Sequence, residues 1–375
     1  MPARVLLPLV ALGCTPLEAR EQRPRRDACQ GRRLEVPAVG FNLAEEVEGA
    51  GFVSAAVHST LRRVADLGSN GVALVVAARL PDLGSNALEH RLRPDRETLR
   101  RLVERARQLG LRTLIVPHIW VEGGAWRGDI VRAGASADAF FARYRDYVGP
   151  LADDAEAACA DAFSLGVELK ALTADPEQER RFASLIADLR GRFHGLLTYS
   201  ANWDEAAQVR FWSQLDLISV NGFFPLATSA RPTAAELAAG AVAMMGQLDR
   251  LAVRFDRPLL LIEAGYKATT DNARRPWEWP TGAALPVDEQ AQRRAYCALA
   301  DALRATPRVV GALFWLIPTG TDRAAAPPFE PAWGFSPLGR AAEAEVRALA
   351  AWAREQRRSG RAVAPRANEQ IRRRR

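Results

Sequence analysis

Pro258-Leu-Leu-Leu-Ile-Glu-Ala-Gly-Tyr266 places four apolar side chains in a row ahead of a single acid, and Phe163-Ser-Leu-Gly-Val-Glu-Leu-Lys170 repeats the design earlier in the chain. A strand that is apolar on both faces is covered on both faces, as in a parallel sheet flanked by helices. An acid at the end of such a strand loses hydration, so it needs either a partner or a shifted pKa. Both segments therefore read as core strands, with Glu168 and Glu263 at their carboxyl ends. An ordinary salt bridge beneath a loop explains either acid alone; two in matching positions point to chemistry.

Working outward, apolar β-type runs alternate with amphipathic helical stretches from Val36 onward, the signature of βαβ units. The predicted strands are 38–43, 71–77, 112–117, 162–168, 195–199, 217–221, 259–263 and 309–315. A helix is predicted after each, over 53–67, 95–109, 137–159, 176–190, 204–215, 233–255, 287–305 and 337–355. Pro94 and Pro176 mark helix starts and Gly110 a helix end. Eight such units favour one closed (β/α)8 TIM barrel over an open doubly wound sheet. Gly40 and Gly71 stand isolated, and no phosphate-cradling loop or dinucleotide fingerprint is present, so nucleotide cofactors are not expected.

The chain has 375 residues, 48% of them hydrophobic, enough for a barrel as a single domain over 36–355. Its net charge of +7 sits in the tail: Arg354 to Arg375 holds nine Arg against Glu355 and Glu369. The rest is near neutral, which argues against a nucleic-acid groove and makes residues 356–375 a basic disordered tail. At the other end, Val5 to Gly13 is a short apolar stretch closing in Ala11-Leu12-Gly13-Cys14. It resembles a bacterial lipoprotein signal, which would make residues 1–14 the signal segment, Cys14 the lipidation site and residues 15–35 a flexible tether. The protein is then exported and membrane-anchored; a plain secretory signal is the second reading and a cytoplasmic chain the third. No other run is long enough to span a bilayer. Cys159 and Cys297 are read as free thiols in helical stretches, with a disulfide between them conceivable only if those helices meet. No spacing resembles a metal site.

At the carboxyl ends of the strands stand Asn42, Arg79, His118 with Trp120, Glu168, Asn202 with Trp203, Asn221 with Phe223 and Phe224, Glu263 with Tyr266, and Trp315. Aromatic faces stack on the apolar faces of pyranose rings while amides, imidazole and guanidinium bond hydroxyls, so this set suits a carbohydrate. Each member alone also has a core-filling or salt-bridging explanation. Convergence on one rim is what distinguishes them.

The chain resembles the retaining glycoside hydrolases of clan A, and within them glycoside hydrolase family 113, whose described members are β-mannanases. The resemblance covers about residues 36–342. It rests on Val116-Pro-His-Ile-Trp-Val-Glu-Gly-Gly-Ala-Trp-Arg-Gly128, Gly166-Val-Glu-Leu-Lys170, Leu197-Thr-Tyr-Ser-Ala-Asn-Trp203, Phe211-Trp-Ser-Gln-Leu-Asp-Leu217, Ile262-Glu-Ala-Gly-Tyr266 and Gly334-Phe-Ser-Pro-Leu-Gly339. It implies Glu168 as general acid/base, Glu263 as nucleophile and Trp315 as the sugar platform. His118, Trp126, Arg127 and Asn202 would line or brace the cleft, with Trp203 and Tyr266 beside them.

The pair would share one proton: Glu168 protonated to serve the leaving oxygen, Glu263 ionised to attack. Retention requires carboxyls about 5 Å apart, inversion roughly 6.5 to 9.5 Å. No cofactor is implied, and Arg79 is the candidate for holding Glu263 ionised. Strand six departs from the pattern. It offers Asn221-Gly-Phe-Phe-Pro225 where a Tyr commonly lies near the nucleophile, leaving Tyr266 or Tyr199 to substitute. The segment from Thr269 to Pro286, rich in Trp and Pro, also diverges and bears on substrate. The expected partner is thus an oligo- or polysaccharide; a catalytically weak glycan-binding lipoprotein on the same barrel is the alternative, and another barrel chemistry on a non-sugar substrate a third.

Overall fold

A computed structural model gives the architecture and describes residues 29, 32, 34, 36–45, 52, 55–90, 93–279, 286–319 and 334–359. Eight strands follow one another: β1 (Ala38–Glu45), β2 (Gly71–Leu80), β3 (Arg112–Val121), β4 (Ala162–Val167), β5 (Leu196–Asn202), β6 (Ile218–Asn221), β7 (Leu259–Ala264) and β8 (Val309–Thr319). Each pairs in parallel with its sequence neighbour, and β8 closes on β1. The helices are α1 (Ala55–Asp66), α2 (Arg96–Gln108), α3 (Gly134–Ala157), α4 (Lys170–Ala174), α5 (Glu179–Arg192), α6 (Ala234–Phe255), α7 (Glu289–Arg304) and α8 (Glu343–Arg358). This is the expected (β/α)8 TIM barrel.

Pleat parity divides its core in two. In β7, Leu260 and Ile262 join Val75, Leu114, Val116 and Leu313 inside the barrel, while Leu259 and Leu261 pack outward with helix residues such as Leu99 and Leu248. Helix starts are set locally. Asp95 accepts from Thr98 N at 2.7 Å, Asp288 from Ala291 N at 2.8 Å, and Thr233 with Glu236 forms a reciprocal capping box ahead of α6.

Four expectations need correction. Between β5 and β6 there is no α-helix over 204–215, only turns and a single 3-10 turn at Trp212–Gln214. Side chains hold this segment instead: Glu205 takes the Asn202 amide at 2.9 Å, and Trp212, fully buried, donates Nε1 to the Ala206 carbonyl at 2.9 Å. The short α4, not foreseen, follows β4. The folded body also begins before Val36, since Arg32 and Leu34, counted in the tether, are buried, and Arg32 pairs with Glu156.

The cysteine reading changes as well. Cys29 and Cys159 are each disulfide-bonded and Cys297 is a free thiol, so neither two free thiols nor a Cys159–Cys297 bridge stands. The physical reason is placement: α3, which ends just before Cys159, packs between α2 and α5, whereas α7, which carries Cys297, packs between α6 and α8. Cys14 and residues 360–375 lie outside the described residues. Among those described, no helix is long and apolar enough to cross a membrane.

Candidate active site

Glu168 follows β4 with a backbone φ of 49°, in the left-handed region that a non-glycine residue enters only when its surroundings hold it there. Its amide donates to Ser200 O at 2.8 Å, beyond an irregularity in β4–β5 register between Ser164 and Val167. The carboxylate is held from three sides. Trp126 Nε1 donates to Oε2 at 3.0 Å, Asn221 Nδ2 to Oε1 at 2.8 Å, and Arg127 Nη2 stands 3.4 Å from Oε2.

Trp126 and Arg127 come from the loop of two 3-10 turns, Glu122–Gly124 and Arg127–Asp129, that leaves β3. Gly128 lets the indole lie close, since a Cβ there would meet the Trp126 ring at 2.4 Å. Arg127 also touches His118 Nε2 and lies over Trp120, with 5.5 Å from its guanidinium carbon to the ring centroid. His118 is fully buried; burial first, and then the Arg127 charge, push its imidazole well below the usual range, so it is neutral and accepts from the guanidinium.

Glu263 reaches the site through a register shift. Val220 pairs with Leu261, but Asn221 pairs with Glu263, and the extra residue turns Glu263 to the cleft while Ala264 joins the outer core. The side chain is buried, and its Oε1 has no hydrogen-bond partner among the described residues. Burial, then the charge of Glu168, push its pKa well above the ordinary value; Arg127 and the Asn221 amide offset part of this. The expectation that Arg79 holds Glu263 ionised is thus corrected, because among the described residues Arg127 is the cation acting on it. Arg79 instead exchanges two backbone hydrogen bonds with Glu89, at 2.7 and 2.8 Å, and does not line the cleft.

Neither phenol replaces the strand-six tyrosine. Tyr199 hydroxyl donates to Glu205 at 2.6 Å, and Tyr266 is fully buried in the outer core against Tyr296. Asn221 supplies the polar contact in that quarter.

The carboxyl ends of the strands surround a cleft of about 550 Å³ that receives both glutamates. Of the residues predicted for it, Trp126, Arg127, Asn202, Trp203 and Trp315 line it; His118 braces it from behind, within 6.5 Å of the Trp315 ring, while Tyr266 and Arg79 stand elsewhere. Trp277 and Trp279, from the Trp-rich segment 269–286 expected to bear on substrate, line it too, as do Asp204 and Phe335, which were not among the predicted residues. Trp277 packs on Trp203 at 5.3 Å and Trp279 on Phe335 at 5.2 Å between ring centroids. The signal was the Pro276-Trp-Glu-Trp-Pro280 sequence, whose approach to the cleft is decided by folding. Among the described residues no three His, Cys, Asp or Glu side chains cluster as metal ligands would.

A (β/α)8 barrel with two buried glutamates in one aromatic cleft, at the carboxyl ends of β4 and β7, has the frame of a barrel glycosidase. The chain belongs to Glycoside Hydrolase Family 113, whose family model matches residues 45–326. No curated protein sequence matches it. Among solved structures, a GH113 β-1,4-mannanase aligns with a TM-score of 0.72 and 22% identity, covering 84% of this chain and 98% of that one. The GH113 β-mannanase AaManA from Alicyclobacillus acidocaldarius, in complex with ManMIm, gives 0.72 and 23%, over 84% and 97%. A family 5 mannosidase from Rhizomucor miehei gives 0.55 and 12%, over 88% and 95%. At these identities the likeness is one of fold.

Proposed function

We propose that the protein is a retaining β-glycosidase that cleaves β-1,4-mannan or a related β-linked glycan by double displacement. The observation that carries this reading is the asymmetric pair. Glu168 is held by Trp126, Asn221 and Arg127, whereas among the described residues Glu263 Oε1 in the same cleft has no hydrogen-bond partner. Glu168 serves as acid and then base, and Glu263 as nucleophile. A sugar hydroxyl donating to Glu263 provides the missing hydrogen bond and brings it to the ionised form, and the proton of the pair passes to Glu168. Glu263 then attacks the anomeric carbon as Glu168 protonates the departing oxygen. With the Glu263 charge consumed in the ester, Glu168 is free to activate water, and hydrolysis restores both carboxyls. Trp315 offers its face to the ring, and Asn202 an amide to its hydroxyls.

The mannan preference is drawn from the mannanase and mannosidase neighbours, and an oligosaccharide partner from neighbours solved with ManMIm or mannosyl-fructose. Incubation with mannan, glucomannan, cellulose and xylan oligomers, followed by reducing-end assay, tests the reading. New reducing ends from wild type, lost in both Glu168→Gln and Glu263→Ala, support it; turnover surviving Glu263→Ala sinks it. The upward shift of Glu263, with no phenol beside it, favours a second reading: a slow or silent glycan-binding protein, recognised by oligosaccharide binding without turnover. Export with a lipid on Cys14 is proposed from the N-terminal sequence alone, and mass spectrometry of the natively produced protein checks it.

A further inference from the structure

Behind the cleft wall, and not lining it, lies a third buried glutamate. Glu205 is fully buried and accepts three hydrogen bonds: from Thr173 Oγ1 at 2.6 Å, Tyr199 hydroxyl at 2.6 Å and Asn202 N at 2.9 Å. The Tyr199 hydroxyl in turn accepts from Leu169 N at 2.6 Å. Leu169 is the residue after Glu168, whose own amide is held by Ser200 O. The backbone on both sides of the left-handed Glu168 is therefore tied to β5, on one side through the Tyr199 hydroxyl and Glu205. The same carboxylate fixes Asn202, whose Nδ2 donates to the cleft-lining Asp204 at 2.9 Å.

We infer that Glu205, acting through Tyr199, is a positioning residue that holds Glu168 in its strained conformation and sets Asn202 beside it. The inference rests on Glu168 being the acid of the proposed reaction. A carboxylate buried without charge pairing is costly, and local strain persists only where surrounding contacts over-determine it. A plain packing role would be met by an apolar side chain of similar size. Three converging donors, one relayed to the amide next to the reacting acid, give this carboxylate a directional task that packing does not require.

Tyr199→Phe, which removes a single oxygen, and Glu205→Gln are compared with wild type on mannotetraose and on dinitrophenyl β-mannoside, whose leaving group needs no proton. Loss of positioning lowers kcat on mannotetraose by about tenfold or more with KM within about twofold, and lowers the dinitrophenyl rate several times less. Crystal structures of both variants show Glu168 leaving the left-handed region or losing its Trp126 and Asn221 contacts. Equal losses on the two substrates, or losses that merely follow the folded fraction, overturn the inference. If wild type cleaves no glycan, the hydrolase reading fails while the crystallographic arm still decides this one: Glu168 unmoved in both variants overturns positioning, and a displaced Glu168 sustains it.

Discussion

Glu205 shows at the scale of one residue how burial and titration are linked. Burial pushes its pKa up to about 7 from an ordinary 4.5, against the pull of hydrogen bonds from Thr173, Tyr199 and Asn202. Between those values the folded state keeps a proton that the unfolded chain has lost. The stabilisation is therefore complete below about pH 4.5 and disappears as pH rises through about 7. The wild type should lose about 3 kcal/mol from this group across that window, while Glu205→Gln, which cannot titrate, should not. Urea unfolding of both proteins at mildly acidic and mildly alkaline pH measures the difference; parallel pH trends would refute the assignment. Glu263 shifts in the same direction, so part of the wild-type slope survives in the variant.

Elements depend on a few contacts at their ends. The loop after β3 delivers Trp126 to Glu168 only because position 128 lacks a side chain. Gly128→Ala should expel the indole and cost the bond to Oε2, lowering kcat/KM about tenfold, while destabilisation stays near about 1–3 kcal/mol. Steady-state kinetics beside thermal melts separate the two effects; unchanged kinetics would show that the ring need not sit there. Thr233→Ala removes the capping box of α6 and should cost about 1 kcal/mol by urea unfolding, with activity retained, because α6 packs on the outside of the barrel. Element positions were largely legible beforehand, since strands buried on both faces and helices with polar caps announce themselves in sequence. The segment 204–215 was not. Its helical composition is overruled by the Glu205 and Trp212 hydrogen bonds, and the partners of Glu205, Thr173 and Tyr199, come from outside it.

For the whole molecule, closure of the barrel is the decisive event. β1 can approach β2 because Gly40 has no side chain: a Cβ there would lie 1.8 Å from Gly71 O. Gly40→Ala should strain the β1–β2 pairing and lower stability by at least about 3 kcal/mol, a loss read as a shifted urea midpoint with unchanged slope. A midpoint within experimental scatter of wild type would mean that the pairing yields without cost.

The chain's own pattern determined the eight apolar runs, the acids at the ends of two of them, and the aromatic and amide residues that follow strands. Those features are local, because hydrophobic periodicity and chain direction specify them. Tertiary structure alone decided which cation faces which carboxylate. Arg127 and not Arg79 acts on the pair, Asn221 stands where a phenol was sought, Tyr266 turns to the outer core, and Trp277 and Trp279 reach the cleft. Each of these turns on a side chain's direction, which one bulge in β7 or a bend in a loop reverses without any mark in the local sequence.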